Sequence, residues 1–178
     1  MTFIIDGTAG ETFPDSSVQA TSALVAGKTP YAAMPAGSVL QVVQYSYSTG
    51  TTTTTSSWVA TPLAGSITPK FTTSKILVCF SALTYTGSSA TAGLATVFRG
   101  DATGTNLATA NANNYGFGGT YVGSNIGVQA VVSGMVLDSP STTSSQLYTV
   151  AIRSESGNTV SIFANNTKGT LTLLEIAG

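Results

Sequence analysis

Ile76-Leu77-Val78-Cys79-Phe80-Ser81-Ala82-Leu83 is the stretch on which the fold turns. At a two-residue period, Ile76, Val78, Phe80 and Ala82 lie on one face. Leu77, Cys79 and Leu83 lie on the other, and Ser81 alone is polar. A strand that is apolar on both phases is expected to be buried on both faces. A neighbouring subunit or an overlying arm is then needed on the side turned away from the core.

The same texture extends in both directions. In Val39 to Tyr47, Val43, Tyr45 and Tyr47 share one face, and Gln44, Ser46 and Ser48 the other. Thr51 to Thr55 is poor in core formers and reads as a loop or edge strand. Trp58-Val59-Ala60 reads as one strand, and Pro62 and Pro69 bracket another short one around Ile67. Leu94 to Arg99 ends at the turn Arg99-Gly100-Asp101, to which no function is assigned. Val128 to Leu137 stops at Asp138-Ser139-Pro140. Tyr148, Val150 and Ile152 alternate with Thr149, Ala151 and Arg153, and Ser156-Gly157-Asn158 reads as a hairpin turn into Val160 to Phe163. In the last strand Leu171, Leu173 and Glu175 oppose Thr172, Leu174 and Ile176.

Helical signals are scarce, and β-branched residues dominate. About eight or nine strands with turns every ~8–12 residues point to an all-β, jelly-roll-like β-sandwich. Its expected core is Val43, Tyr45, Trp58, Ile76, Val78, Phe80, Val150, Ile152, Ile162, Leu171 and Leu173. Residues 1–37 differ from the rest. Strand-like Thr2 to Ile5 ends at Asp6-Gly7, and Pro30 and Pro35 exclude a long helix. They read as an N-terminal extended arm, with residues 38–178 as the sandwich domain.

Composition narrows the function. The 178 residues include no histidine, one cysteine, 7 acids and 6 bases, with a net charge of −1. Proton-transfer chemistry needs titratable groups clustered in a pocket, and such scarcity argues against an enzyme. Without a basic stripe, neither nucleic acid nor an anionic membrane is an expected partner. Met1 to Asp6 lacks a basic start, and no apolar run approaches the ~20 residues of a membrane span. A surface this poor in charge favours association, so copies of the chain itself are the expected partner. Cys79, within an apolar run and with no histidine to activate it, reads as a buried, inert thiol.

The remaining motifs are weak. Asp101, Asp138, Glu155 and Glu175 fall at strand ends or turns and read as solvated turn carboxylates, although two of them meeting in a cleft would suit glycoside hydrolysis. Asp6-Gly7-Thr8 and Asp138-Ser139 lack the acidic spacing of a calcium loop, and no metal or cofactor is expected. Gly116-Phe117-Gly118-Gly119 lacks the lysine and helix of a phosphate loop. Asn165-Asn166-Thr167 matches the glycosylation sequon and, with no secretory signal visible at Met1 to Asp6, reads as a chance match. Asn111 to Tyr121 reads as a long surface loop whose Tyr115, Phe117 and Tyr121 suit contact with a protein or a host-surface glycan, or else fold back onto the core.

Two stretches carry a family likeness. Ile4-Ile5-Asp6-Gly7-Thr8-Ala9-Gly10-Glu11-Thr12-Phe13-Pro14-Asp15 resembles the opening of many bacteriophage virion proteins, tail-fibre-like and head-decoration-like, with Ser16-Ser17 in place of the usual Gly-Thr. Thr170 to Ala177 is similar to the ending of the same group, and Asp138-Ser139-Pro140-Ser141-Thr142-Thr143 fits its strand-loop pattern. The resemblance implies a structural component of the virion, commonly a homotrimer, whose N-terminal segment attaches to other virion proteins. Ile5, Phe13 and Pro14 are the candidate contacts in that segment.

Overall fold

A computed structural model describes residues 11–12, 18–19, 31–87, 91–108, 115–123, 126–163 and 167–178. Along the chain the strands are β1 (Glu11–Thr12), β2 (Val18–Gln19), β3 (Val39–Tyr47), β4 (Thr51–Thr53), β5 (Val59–Ile67), β6 (Lys75–Thr86) and β7 (Thr91–Arg99). They continue with β8 (Thr105–Asn106), β9 (Gly118–Val122), β10 (Val128–Asp138), β11 (Gln146–Ser154), β12 (Val160–Ile162) and β13 (Gly169–Ile176). Most of the expected arm, with Ile5, Phe13 and Pro14, lies outside the described residues. Within it, β1 pairs with β2, and Tyr31–Ala33 form a 3-10 turn.

Two antiparallel sheets face each other. One runs β3–β13–β6–β10, and the other β5–β11–β7–β9. Successive long strands therefore alternate between the layers, and the last strand returns between the first and third, which is jelly-roll topology. Short pieces complete three of the lanes. β4 and β12 continue β3 and β13 along the far end of β6, and β8 continues β9 along β7. At the break between β12 and β13, the Phe163 N–H still donates to the Leu83 carbonyl at 2.9 Å. Phe163 adopts φ 56° there, and its ring is buried beneath Gly169, where a Cβ would stand 2.1 Å from the ring.

Between the sheets lies one apolar core. Ile76, Val78, Val150, Ile152, Ile162, Leu171 and Leu173 are fully enclosed, and Phe80 nearly so. Burying each such side chain contributes about 1.5–3 kcal/mol before entropy is counted. Val43 and Tyr45 pack against this cluster from its margin. Phe80 and Phe117 meet edge to face at 5.6 Å. Gly134 makes room for them, since a Cβ there would stand 2.5 Å from Phe80 and 2.6 Å from Phe117.

Several expectations need correction. Trp58 does not join the inner core. It packs edge-on against Phe98 at 6.1 Å, beneath the Arg153 guanidinium, on the outer side of the β5–β11–β7–β9 sheet. Pro62 does not divide two strands, because β5 runs through it. As an edge strand, β5 leaves Pro62 with no ladder N–H to supply. The register shifts opposite it, and Thr61 Oγ1 donates to the Val150 carbonyl at 2.8 Å. Ser156-Gly157-Asn158 is not a hairpin turn either, since β11 and β12 belong to different sheets. The turn carries the chain from one layer to the other.

The two faces of β6 differ. Its Ile76 phase is sealed, but Leu77, Cys79, Ser81, Leu83 and Tyr85 are only half-buried. The two-sided apolar pattern places the second face on the outside of the sandwich, where no described residue covers it.

Candidate functional site

The titratable groups come first, because a catalytic reading needs them. Strand pairing sets Glu175 and Asp138 on either side of Ile76, so both carboxylates occupy one rung of the β13–β6–β10 sheet. Their phase points inward. Glu175 is fully buried and Asp138 is 9% exposed, which overturns the reading of both as solvated turn carboxylates.

Each carboxylate is committed to holding the fold. Glu175 accepts hydrogen bonds from Gln41 Nε2, the Lys70 backbone N–H and Ser74 Oγ, all at 2.6 Å. It thereby ties β3 and the 68–74 turn to the last strand. Asp138 accepts from Arg99 Nη1 at 3.0 and 3.1 Å and from the Tyr148 hydroxyl at 2.8 Å. Arg99 and Tyr148 pair across β7 and β11, so this cluster bonds one sheet to the other. Burial, then the Asp138 bond, raises the Tyr148 phenol far above its usual range. The pair lies in no open cleft, and Ile76 stands between the two carboxylates.

Asp101 and Glu155 behave as the turn reading expects. Thr103 donates to Asp101 through its hydroxyl and its N–H, which lowers the Asp101 carboxyl. Glu155 accepts the Tyr115 hydroxyl at 2.5 Å, and this bond raises the Tyr115 phenol. Among the described residues, no three His, Cys, Asp or Glu side chains gather closely enough to hold a metal ion. Asp6-Gly7-Thr8 and the start of the Asn111 stretch lie outside the described residues.

The aromatic loop is also reassigned. Gly118–Val122 is strand β9, paired with β7, and is not a loop. The N–H of Phe117 donates to the Ala95 carbonyl, and its ring turns into the core. Tyr115 is engaged by Glu155. Of the three rings, Tyr121 stays open to solvent, at 69% exposure. A groove of about 190 Å³ between Tyr31, Met34, Phe71 and Ala177 is smaller than the ~300 Å³ at which ligand pockets begin.

The two outer sheet faces differ sharply. On the β5–β11–β7–β9 side, Leu94, Thr96 and Phe98 of β7 are covered by the chain's own residues. On the β3–β13–β6–β10 side no described residue covers the surface. Val42, Leu174, Leu77 and Leu137 form one continuous apolar rung. The next rung is Gln44, Thr172, Cys79 and Met135, followed by Ser46, Thr170, Ser81 and Ser133, and then Leu83 beside Val131. Val42, Val131 and Met135 are 57%, 64% and 68% exposed. Cys79 is therefore half-buried on this outer face and is not a core thiol, and partial burial raises its pKa.

The sequence reading missed Val42, Val131, Met135, Leu137 and Leu174 as a surface. The signal was present, since Val131, Met135 and Leu137 share one phase of their strand with Ser133. The assignment of that phase to the outside came only with the sheet order.

No protein-family model matches the chain, and no curated protein matches it in sequence. Among solved structures it is similar to the VP2 subviral particle of infectious bursal disease virus, with 13% identity and a TM-score of 0.38 over 79% of this chain and 38% of that one. It is likewise similar to the structure of the Gx strain of that virus, with 11% identity and a TM-score of 0.37 over 79% of this chain and 39% of that one. The chain spans well under two thirds of the length of either.

Proposed function

We propose that this chain is a non-enzymatic structural subunit of a bacteriophage virion, a fibre or decoration component attached to the particle through residues 1–37. The observation that carries the reading is how its few charges are used. The two buried carboxylates are each saturated by donors that hold the fold, while an entire outer sheet face carries almost none. Such a surface suits contact with other subunits and offers little to charged substrates. The phage-like opening motif supports the choice of particle.

Mass spectrometry of purified virions from the source is the test. Stoichiometric recovery of this chain's peptides is expected, and their absence from the particles refutes the reading. A version beginning at residue 38 is expected to fold yet fail to join particles.

Tyr121 favours a second reading, a host-glycan-binding module. Its ring is exposed on the edge strand β9, and an exposed aromatic face suits stacking against a sugar. A glycan array comparing the wild-type chain with Tyr121→Ala decides this, and equal signals for the two remove the role.

A further inference from the structure

We propose that the bare outer face of the β3–β13–β6–β10 sheet is an interface between two copies of this chain, packed face to face about a two-fold axis. The inference rests on the reading of the chain as a structural subunit and adds the contact by which copies meet.

Area is the first argument. Eleven residue pairs join β6 to β10, and at ~3.3 Å per residue this is a length of ~36 Å. Four lanes ~4.8 Å apart give a width of ~19 Å, hence ~700 Å² per copy. Stable interfaces bury ~800 Å² per partner, so this face alone comes close to that size. Chemistry is the second argument. Lys75, at one corner, is the charged residue of the strands on this face, so there is nothing here to attract a charged partner. An uncharged sheet face on a second such face, ~10 Å apart, repeats the face-to-face layering already used inside the domain.

Pattern is the third argument, and it selects a copy of the same chain. A two-fold contact must be self-complementary. The rungs run from the apolar Leu77 rung, through the Cys79 and Ser81 rungs with their short polar groups, to the apolar Leu83–Val131 rung. An axis lying between the two sheets and running along the rungs, midway between Cys79 and Ser81, lays the first on the last, seating Leu83 over Leu77 and the exposed Val131 over the exposed Leu137 of the other copy. In the middle rungs Thr170 then faces Thr172, and Ser81 faces Cys79. Cys79 lies beside the axis, shielded from solvent.

Light scattering on the full-length chain tests the mass, and alkylation by iodoacetamide tests the position of the contact. The expected mass is an even multiple of 18.0 kDa. Val131→Glu and Met135→Glu change exposed positions, and circular dichroism checks that both variants fold. Each is expected to weaken association at least tenfold and to speed Cys79 alkylation to match. Leu147→Glu, on the other sheet, is expected to change neither.

A monomeric or trimeric wild type overturns the pairing, as do paired Glu variants or a Cys79 thiol alkylated equally fast in all of them. A monomer whose Cys79 becomes reactive only when residues 1–37 are deleted gives the face to the chain's own N-terminal segment, which also overturns it. Each of these results leaves the recovery of the chain from virions as a separate question.

Discussion

Replacing Glu175 probes how the end of the sandwich is held. Its buried carboxylate receives three donors at 2.6 Å, from Gln41, Lys70 and Ser74. Removing a buried acceptor strands its donors, at ~1–3 kcal/mol for each. Ser74 is 1% exposed and its hydroxyl donates to Glu175, whereas Gln41 keeps its bond to the Thr68 carbonyl at 2.7 Å. Glu175→Ala is therefore expected to cost ~4 kcal/mol, a large share of the ~5–15 kcal/mol that holds a domain together. Glu175→Gln keeps one oxygen for Lys70 and Ser74 but turns an NH₂ group towards the Gln41 amide, at ~2 kcal/mol. Urea unfolding followed by Trp58 fluorescence and circular dichroism is the assay. With a slope of ~2 kcal/mol per molar, the midpoints should fall by ~2 M for Ala and ~1 M for Gln, with the slope unchanged. The Gln variant keeps the test readable should the Ala variant not fold. Midpoints within ~0.25 M of wild type in both would refute the reasoning, because water would then be serving the donors as well as the carboxylate does.

Gly134→Ala should destabilise the domain by ~1–3 kcal/mol, since the new methyl enters the space of the Phe80–Phe117 pair; the same urea titration measures it. Tyr148→Phe should cost ~1–2 kcal/mol near neutral pH through the lost bond to Asp138. It should also flatten the alkaline limb of the stability curve. The folded phenol is held above its ordinary value of 10.0, so the unfolded chain gives up that proton first as pH rises. The stabilisation is full below pH 10 and is lost above it. A wild type and a Phe variant with equal slopes above that pH would refute this assignment. Asp101, held below its ordinary 3.8 by Thr103, works in the opposite sense: its contribution is present above that pH and fades as pH falls. Acid titration of Thr103→Ala by NMR should show the Asp101 carboxyl moving back up.

Much of the fold was legible because strand alternation is a local property. The inward phases of β11 and β13 could be read from Val150 and Leu171 without knowing what they touch. The same rule set Glu175 in phase with Leu171 and Leu173, which signalled its burial. A strand-end position masked that signal. The hairpin reading at Ser156 failed for a different reason. A turn sequence fixes a change of direction, while the layer that the next strand joins depends on distant pairing. The aromatic stretch failed because glycines that suggest a loop also let a strand lie close against β7 at Gly118 and Gly119.

Local chemistry thus determined that this chain is all β and nearly uncharged, because side-chain period and composition need no partner to be expressed. Tertiary structure alone decided which apolar phase became core and which became surface. Leu77 and Val78 are adjacent and alike in character, yet one faces the opposing sheet and the other faces outward. Only the order of strands contributed from across the whole chain separates them.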